Sequence, residues 1–389
     1  MKQVLSFAAA LLALAGASSQ AQTSQGVSKN EIVLGSIQDL SGPIAGFGKQ
    51  VRQGMLLRVD ELNEQGGING RKIRLLIEDS AYDPKKAVLA AQKLVNQDKI
   101  FAMVGHLGTA QNNAAMPVQF EKNVINFFPV TAAREMTEPV HKLKFAGGSS
   151  YYDQMRVALP RLIKDKGAKK ICTIYQDDEF GLEVFRGAEA GLKAVGMDFT
   201  EKTTYKRGAT DFSSQVARMK AANCDLVVLG TIIRETIGTI AEGRKTGFNP
   251  TYLGSSATYT DLIHKLGKKA MDGLYATHTV QHPYMDEVSP KIAFWAKKYQ
   301  TKFGDDPTVF SVYGYSAIDT FIQAAQKAGP NLSTDSFIKA MESLTFPPDM
   351  FGSAELTFGP AKRAGSNMTR MSQLQDERWK PVTEYVKPQ

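Results

Sequence analysis

The stretch Asp39 to Gly54, DLSGPIAGFGKQVRQG, places Gly48-Lys49 ahead of a helix-like run and so raises phosphate chemistry first. A phosphate-binding loop needs four residues between its first glycine and the Gly-Lys pair, and a hydroxyl after the lysine to hold Mg²⁺. Here Pro43 to Phe47 make five, and Gln50 stands in the hydroxyl position. The order Gly42, Gly46, Gly48 also misses the dinucleotide fingerprint G-x-G-x-x-G. The spacing therefore argues against a nucleotide. What it keeps is geometry: a strand, Ile32 to Ile37, leading through a glycine-bearing turn to a helix whose free N–H groups could face a ligand.

Other reactive side chains form no recognisable catalytic set. The acids Asp177-Asp178-Glu179 have no nucleophile or paired base beside them and read as a loop and helix start. His278 and His282 are four apart, a metal spacing only on a helix, and HTVQHP reads as extended. His106, in GHL, reads as structural. No enzyme, metal or cofactor is expected. Cys172 and Cys224 are too few for a disulfide framework and lack metal-ligand spacing. Each opens an expected strand, where it is either a small buried residue or, if the chain is exported and the strands are neighbours, half of a pair. Arg234 lies just past a strand end, where its guanidinium could grip an anion bidentately or simply be solvated. Tyr151, Tyr152 and Tyr259 could stack on a planar ligand or pack ordinarily, and Tyr152 is the preferred candidate.

The elements that must position these residues alternate. Strands KIRLLIED, IFAMVG and VINFFPV are separated by the helices DPKKAVLAAQKLV, with Asp83 as N-cap and Pro84 first, and TAQNNAAMPVQFEK. After KFAGGSSYYDQ the alternation restarts with KICTIYQ and runs through DLVVLG to TYLGSS. Two such halves give an α/β fold: two doubly wound parallel-sheet lobes. Three helices without intervening strands follow, which must cover an existing sheet, and the tail from ELTFGP onward is β-like. A chain crossing between lobes several times leaves a multi-strand hinge and a cleft at the strand ends.

The N-terminus, MKQVLSFAAALLALAGASSQA, has one basic residue, an apolar run and a small-x-small site at Ser19 and Ala21, so residues 1–21 are expected to be a cleaved export signal. No later run has the eighteen or so apolar residues of a membrane span. The net charge is +8 over 389 residues, but the basic residues are interspersed with acids along helices, which fits a solvated surface and not a nucleic acid partner.

Together, GSIQDLSGPIAGFG, NEQGGINGRKIRLLIEDSAYDPKKAVLAAQKLV, VGHLGTAQNNAA, YQDDEFGLEVFRGAEAGLKAVG and DFSSQVARMKAANCDLVVLG resemble the leucine/isoleucine/valine-type periplasmic binding proteins of ABC importers. The resemblance spans nearly the whole chain after the signal. It implies a type I two-lobe fold, with lobe I from 27–147 plus 279–352 and lobe II from 148–278 plus 353–389. It also implies a periplasmic, monomeric receptor that closes on a small organic acid or amino acid and hands it to an ABC permease in the inner membrane. The ligand carboxylate would lie at Thr109, with Val130 and Thr131 from the next loop, and Phe47 would supply an aromatic wall.

Several positions depart from the family's amino-acid binders. Their ammonium-binding acid falls on Ser256, a hydroxyl falls on Ala132 beside Thr131, and two cleft tyrosines become Ile232 and Phe180. Tyr82 and Gly108 occupy the family's first-lobe disulfide positions. These changes favour a carboxylate without an ammonium, such as an aromatic or other organic acid, with Arg234 serving a group at its far end. A branched-chain or other amino acid, or an amide or urea in a sensor of the same fold, is the alternative.

Overall fold

The computed structural model describes residues 24–388; the expected export signal, residues 1–21, lies outside them. The first lobe opens with β1 (Glu31–Gln38), α1 (Ala45–Glu64), β2 (Lys72–Asp79), α2 (Pro84–Gln92), β3 (Ala102–Val104), α3 (Thr109–Glu121), β4 (Ile125–Phe127) and β5 (Lys144–Phe145). The second contains α4 (Tyr151–Lys166), β6 (Ile171–Gln176), α5 (Glu179–Ala194), β7 (Glu201–Tyr205), α6 (Ser213–Ala221), β8 (Leu226–Gly230), α7 (Arg234–Lys245), β9 (Thr251–Gly254), α8 (Asp261–Gly267) and β10 (Tyr275–His278). The chain then returns through α9 (Pro290–Phe303), α10 (Val309–Ala328), α11 (Thr334–Ser343) and the short strands β11 (Thr345–Phe346) and β12 (Leu356–Thr357), and ends in β13 (Arg370–Gln375) and β14 (Arg378–Pro381).

Strand order β2-β1-β3-β4-β5 makes the first sheet, and all its pairings are parallel. Apart from the edge strand β2, its strands are buried on both faces, as a parallel sheet requires. Alternation along β1 shows how: Ile32 and Leu34 join the core under α1 and α10, while Val33 and Ile37 join a second core under α2 and α3. Of the three helices that follow β10, α10 and α11 cover this sheet, while α9 packs on α1. Phe321 of α10 and Phe337 of α11 pack edge-on against Phe101 and Phe127. Two glycines allow α10 to lie close against α1: a methyl at Gly54 would stand 1.9 Å from the Ser311 carbonyl oxygen, and one at Gly314 2.2 Å from that of Val51.

The second sheet runs β14-β13-β10-β9-β8-β6-β7. Its β6 to β10 portion is parallel, and the tail adds an antiparallel hairpin at one edge. Asp376 and Glu377, both with positive φ (53° and 56°), form its two-residue turn, whose twist matches the flanking strands. Cys172 in β6 and Cys224, just ahead of the neighbouring β8, form a disulfide with Cα atoms 5.9 Å apart, which resolves the two readings left open by the sequence.

The hinge joins several crossing segments. Ala146 bridges Ala364, and the Gln281 N–H donates to the Phe351 carbonyl at 2.8 Å. The Tyr385 hydroxyl lies within hydrogen-bond reach of the carbonyl oxygens of both Thr279 and Gly352. Among the described residues no helix is long and apolar enough to cross a membrane.

Candidate functional site

A cavity of about 490 Å³ lies between the two sheets, lined by loops from both lobes and by the hinge. Clefts outside the carboxyl ends of parallel strands are where such folds bind ligands, and the volume suits a small molecule.

The first-lobe wall centres on the start of α3. Gly108 sits at its N-cap position with φ of +102°, and no side chain caps the helix. That φ strains any residue with a Cβ, and a Cβ there would also push on the Gln111 side-chain oxygen, 2.1 Å away. Gln111 and Asn112, which could have turned back to the helix start, are spent elsewhere. The amide of Gln111 donates to the Tyr82 carbonyl, and that of Asn112 to the carbonyls of His106 and Gly108. The first amides of α3 are thus left for a guest, in a dipole that favours an anion. Beside them the hydroxyls of Thr109 and Thr131 are 2.6 Å apart. Burial raises the pKa of Tyr151, which also lines the cavity, so its hydroxyl stays protonated at neutral pH.

Several aromatic rings line the cavity as well. Phe47 stacks on Phe310 with centroids 3.6 Å apart, and Phe180 meets Tyr151 edge-on at 5.2 Å. Phe128 and Tyr82 also line the cavity, both at positive φ (46° and 57°). Strained backbone of this kind in bulky residues clusters where a site dictates side-chain direction.

The second-lobe wall is different. Asp178 caps α5 by accepting from the amides of Phe180 and Gly181, and Ile232 and Ser256 face the cavity. The Ser256 N–H donates to Gln154 Oε1 at 2.9 Å. The two acids nearest in sequence to an ammonium site do not line the cavity: Asp261 is paired with Lys265 at 2.8 Å, and Glu235 is buried, its carboxyl pKa raised by desolvation.

Phe47, Thr109, Val130, Thr131, Phe180, Ile232 and Ser256 therefore surround one cavity, whereas Tyr152 and Arg234 do not. Val130 contributes its side of the wall but not its backbone, since its N–H donates to His106 and its carbonyl accepts from Gly108. Two placements made from sequence need correction. Ser150 caps α4 by accepting from Asp153, which makes Tyr151 the first helical residue and turns it inward. Tyr152 instead lies beneath Arg134, whose guanidinium carbon is 3.8 Å from the ring centroid. Arg234 is exposed at the start of α7 and borders a separate groove with Pro43, Phe212 and Leu262. Sequence reasoning missed Phe128, Tyr313 and Phe310. The Ser-x-x-Asp capping pattern of Ser150 and Asp153 was the available signal for Tyr151.

Contacts across the cleft join the lobes. Arg134, from the loop after β4, meets Glu183 of α5 through Nε at 2.9 Å and Nη2 at 2.8 Å, and its backbone N–H reaches the same carboxylate. On the other side, the Arg207 guanidinium lies 5.2 Å from the Tyr82 ring centroid and is held by Asp178 at 2.6 Å.

Comparison with known proteins agrees with this architecture. Residues 31–377 match the family model described as periplasmic binding protein, and the chain belongs to that family, in its type I, branched-chain amino acid group. It is 27% identical over 306 residues to an amino acid binding protein of Pseudomonas aeruginosa, covering 77% of this chain and 80% of the relative. Two solved structures share the fold. A fatty acid ABC transporter substrate-binding protein from Thermomonospora curvata has a TM-score of 0.86 at 23% identity, covering 94% of this chain and 95% of that one. A solute-binding protein of an ABC transporter from R. palustris, solved in complex with benzoate, has a TM-score of 0.80 at 17% identity, covering 92% and 98%.

Proposed function

We propose that this protein is the exported ligand-capturing component of an ABC importer and that its ligand is a carboxylic acid without an α-ammonium. The observation that carries this is the contrast within one cavity between the uncapped start of α3, flanked by Thr109 and Thr131, and a facing wall with Ser256 where an ammonium would need a carboxylate. The acids that do line the cavity are poorly placed to serve as one. Glu138 is exposed at the rim, Asp153 is paired with Arg156, and Asp319 and Asp349 belong to a branch along α10. A buried ammonium left unpaired costs roughly 3 to 5 kcal/mol. The carboxylate would bind first to lobe I, and lobe II would then close through Arg134–Glu183, laying Phe180 and Ile232 on the ligand's carbon skeleton. The closed complex would dock on a membrane permease and release the ligand unchanged, with no covalent step.

A thermal-shift panel tests the reading. Benzoate-like, phenylpropanoid and aliphatic acids should raise the melting temperature more than leucine, isoleucine or valine at equal concentration. Tight leucine binding with every organic acid inert would return the protein to the amino acid class, the reading that the Pseudomonas aeruginosa relative's name favours. Export is tested separately by N-terminal sequencing, with the mature chain expected to start at Gln22.

A further inference from the structure

The cavity does not end at the anchor. It continues along α10, whose Phe310, Tyr313, Ala317, Thr320 and Gln323 all line it. Tyr315, Ser316 and Asp319 of the same helix line it too, so the cavity borders a broad face of α10 that rises ~20 Å from Phe310 to Gln323. An amino acid spans only a fraction of this length. Met350, Leu356 and Met368, brought in by the segments after α11 and β11, line the same cavity. Thioether side chains adapt their shape to a flexible guest better than branched or aromatic ones.

Charge along the branch is also selective. The Asp349 carboxylate accepts from the N–H groups of Phe351 and Ser353 and from the Ser316 hydroxyl. Asp319 is bonded to Arg58 and Gln323. Arg134 is the one lysine or arginine among the described residues that line the cavity, and it is engaged by Glu183. A second carboxylate on the ligand would meet acids in this branch and no free cation.

We infer that the branch along α10 is a channel for the ligand's tail, so that the ligand is an elongated monocarboxylate: its carboxylate at α3, its apolar chain beside α10, and no acid at the far end. This rests on the carboxylate reading of the anchor given above. Titration calorimetry of the protein with butanoate, octanoate, dodecanoate and dodecanedioate tests it, alongside leucine as a control. Affinity should rise by roughly two- to fourfold per added methylene until the channel is full, and dodecanedioate should bind at least about tenfold more weakly than dodecanoate. Ala354→Trp, which places an indole in the channel, should abolish the length dependence, so that butanoate and dodecanoate bind alike. Met350→Trp serves the same purpose if circular dichroism shows Ala354→Trp to be misfolded. Equal affinity for butanoate, octanoate and dodecanoate would overturn the channel while leaving the carboxylate anchor intact, as would dodecanedioate binding as tightly as dodecanoate. Binding of leucine with no acid of any length would overturn the anchor and the channel together.

Discussion

The helices that begin at the cleft are finished differently on its two sides. On the first lobe, α3 opens on Gly108 and Thr109 with no side chain over its first amides. On the second, α4 and α5 open on Ser150 and Asp178, whose side chains accept from their own helices. α7 also lacks a side-chain cap, but it carries Glu235 buried in its first turn, a negative partner for its dipole. Unspent donors are therefore concentrated on lobe I, while lobe II offers Phe180 and Ile232. Such a division assigns charge recognition to one lobe and apolar closure to the other.

The largest effect should come from the staple that lobe II alone carries among the described residues. Cys172–Cys224 closes a loop of sequence separation 52, and in the chain-entropy account such a crosslink contributes about 4 kcal/mol, with measured values commonly 2 to 4. Reductant, or paired Cys→Ser substitutions, should lower the denaturant midpoint of the second lobe and leave the first nearly unmoved. Fluorescence of Trp379, in the lobe II hairpin, reports on that lobe once Trp295 of α9 is replaced by phenylalanine. Coincident loss of both lobes at one midpoint would show that they unfold as a single unit.

Next comes closure. Arg134→Ala removes both guanidinium contacts and leaves the buried Glu183 carboxylate with the backbone N–H of residue 134, at 3.3 Å, and with Arg186, 3.7 Å away. Because the Arg134 side chain is 30% exposed, the penalty falls toward the lower end of a broken buried pair, about 2 to 4 kcal/mol in ligand binding, or roughly 30- to 800-fold. Calorimetry measures it, and small-angle scattering should show the variant more open. If affinity is unchanged, Arg134–Glu183 is not a closure contact. Thr109→Ala should cost on the order of 1 to 3 kcal/mol, roughly 5- to 150-fold, with the fold retained. An Ile232→Ala loss larger than the Thr109→Ala loss would reverse the assignment of recognition to lobe I.

Much of this arrangement was legible because it follows from periodicity. The alternation that marks β1 as buried on two faces is written in Ile32, Val33, Leu34 and Ile37, and the glycine-bearing starts of α1 and α3 stand where the strands end. The neighbourhood of Thr109 and Thr131 came from the family resemblance and lies in one cavity. Direction around a helix was harder. Tyr151 and Tyr152 are adjacent, and a shift of one residue at the cap exchanges which of them faces inward, since successive positions turn by about 100°. Phe310 and Tyr313 were out of reach for another reason: they enter from α10, far along the chain, and nothing local says that a helix covering one sheet also borders the cleft. Phe128 depends on a positive φ ahead of Pro129, which a bulky residue adopts only when tertiary packing imposes it.

Arg234 supplies the smallest and most discriminating test. From sequence it could grip the ligand from lobe II, which would blur the contrast between the lobes by adding a strong anion contact to the apolar side. In the structure it is exposed at the first residue of α7, bordering the outer groove with Pro43 and Leu262, and it does not line the cavity. A cation there also opposes the helix dipole, an unfavourable term of about 0.3 to 1 kcal/mol that solvent screens. Arg234→Ala should therefore leave ligand affinity within about twofold and change stability by no more than about 0.5 kcal/mol, because relief of the dipole term is offset by loss of the attraction to the buried Glu235 carboxylate. A bidentate contact to a ligand carboxylate would behave otherwise, since a charge-assisted hydrogen bond lost from a closed site costs about 1.5 to 3 kcal/mol, more than tenfold in affinity. Calorimetry on this one variant separates the two, and a loss beyond tenfold would place a second anion-binding group on lobe II.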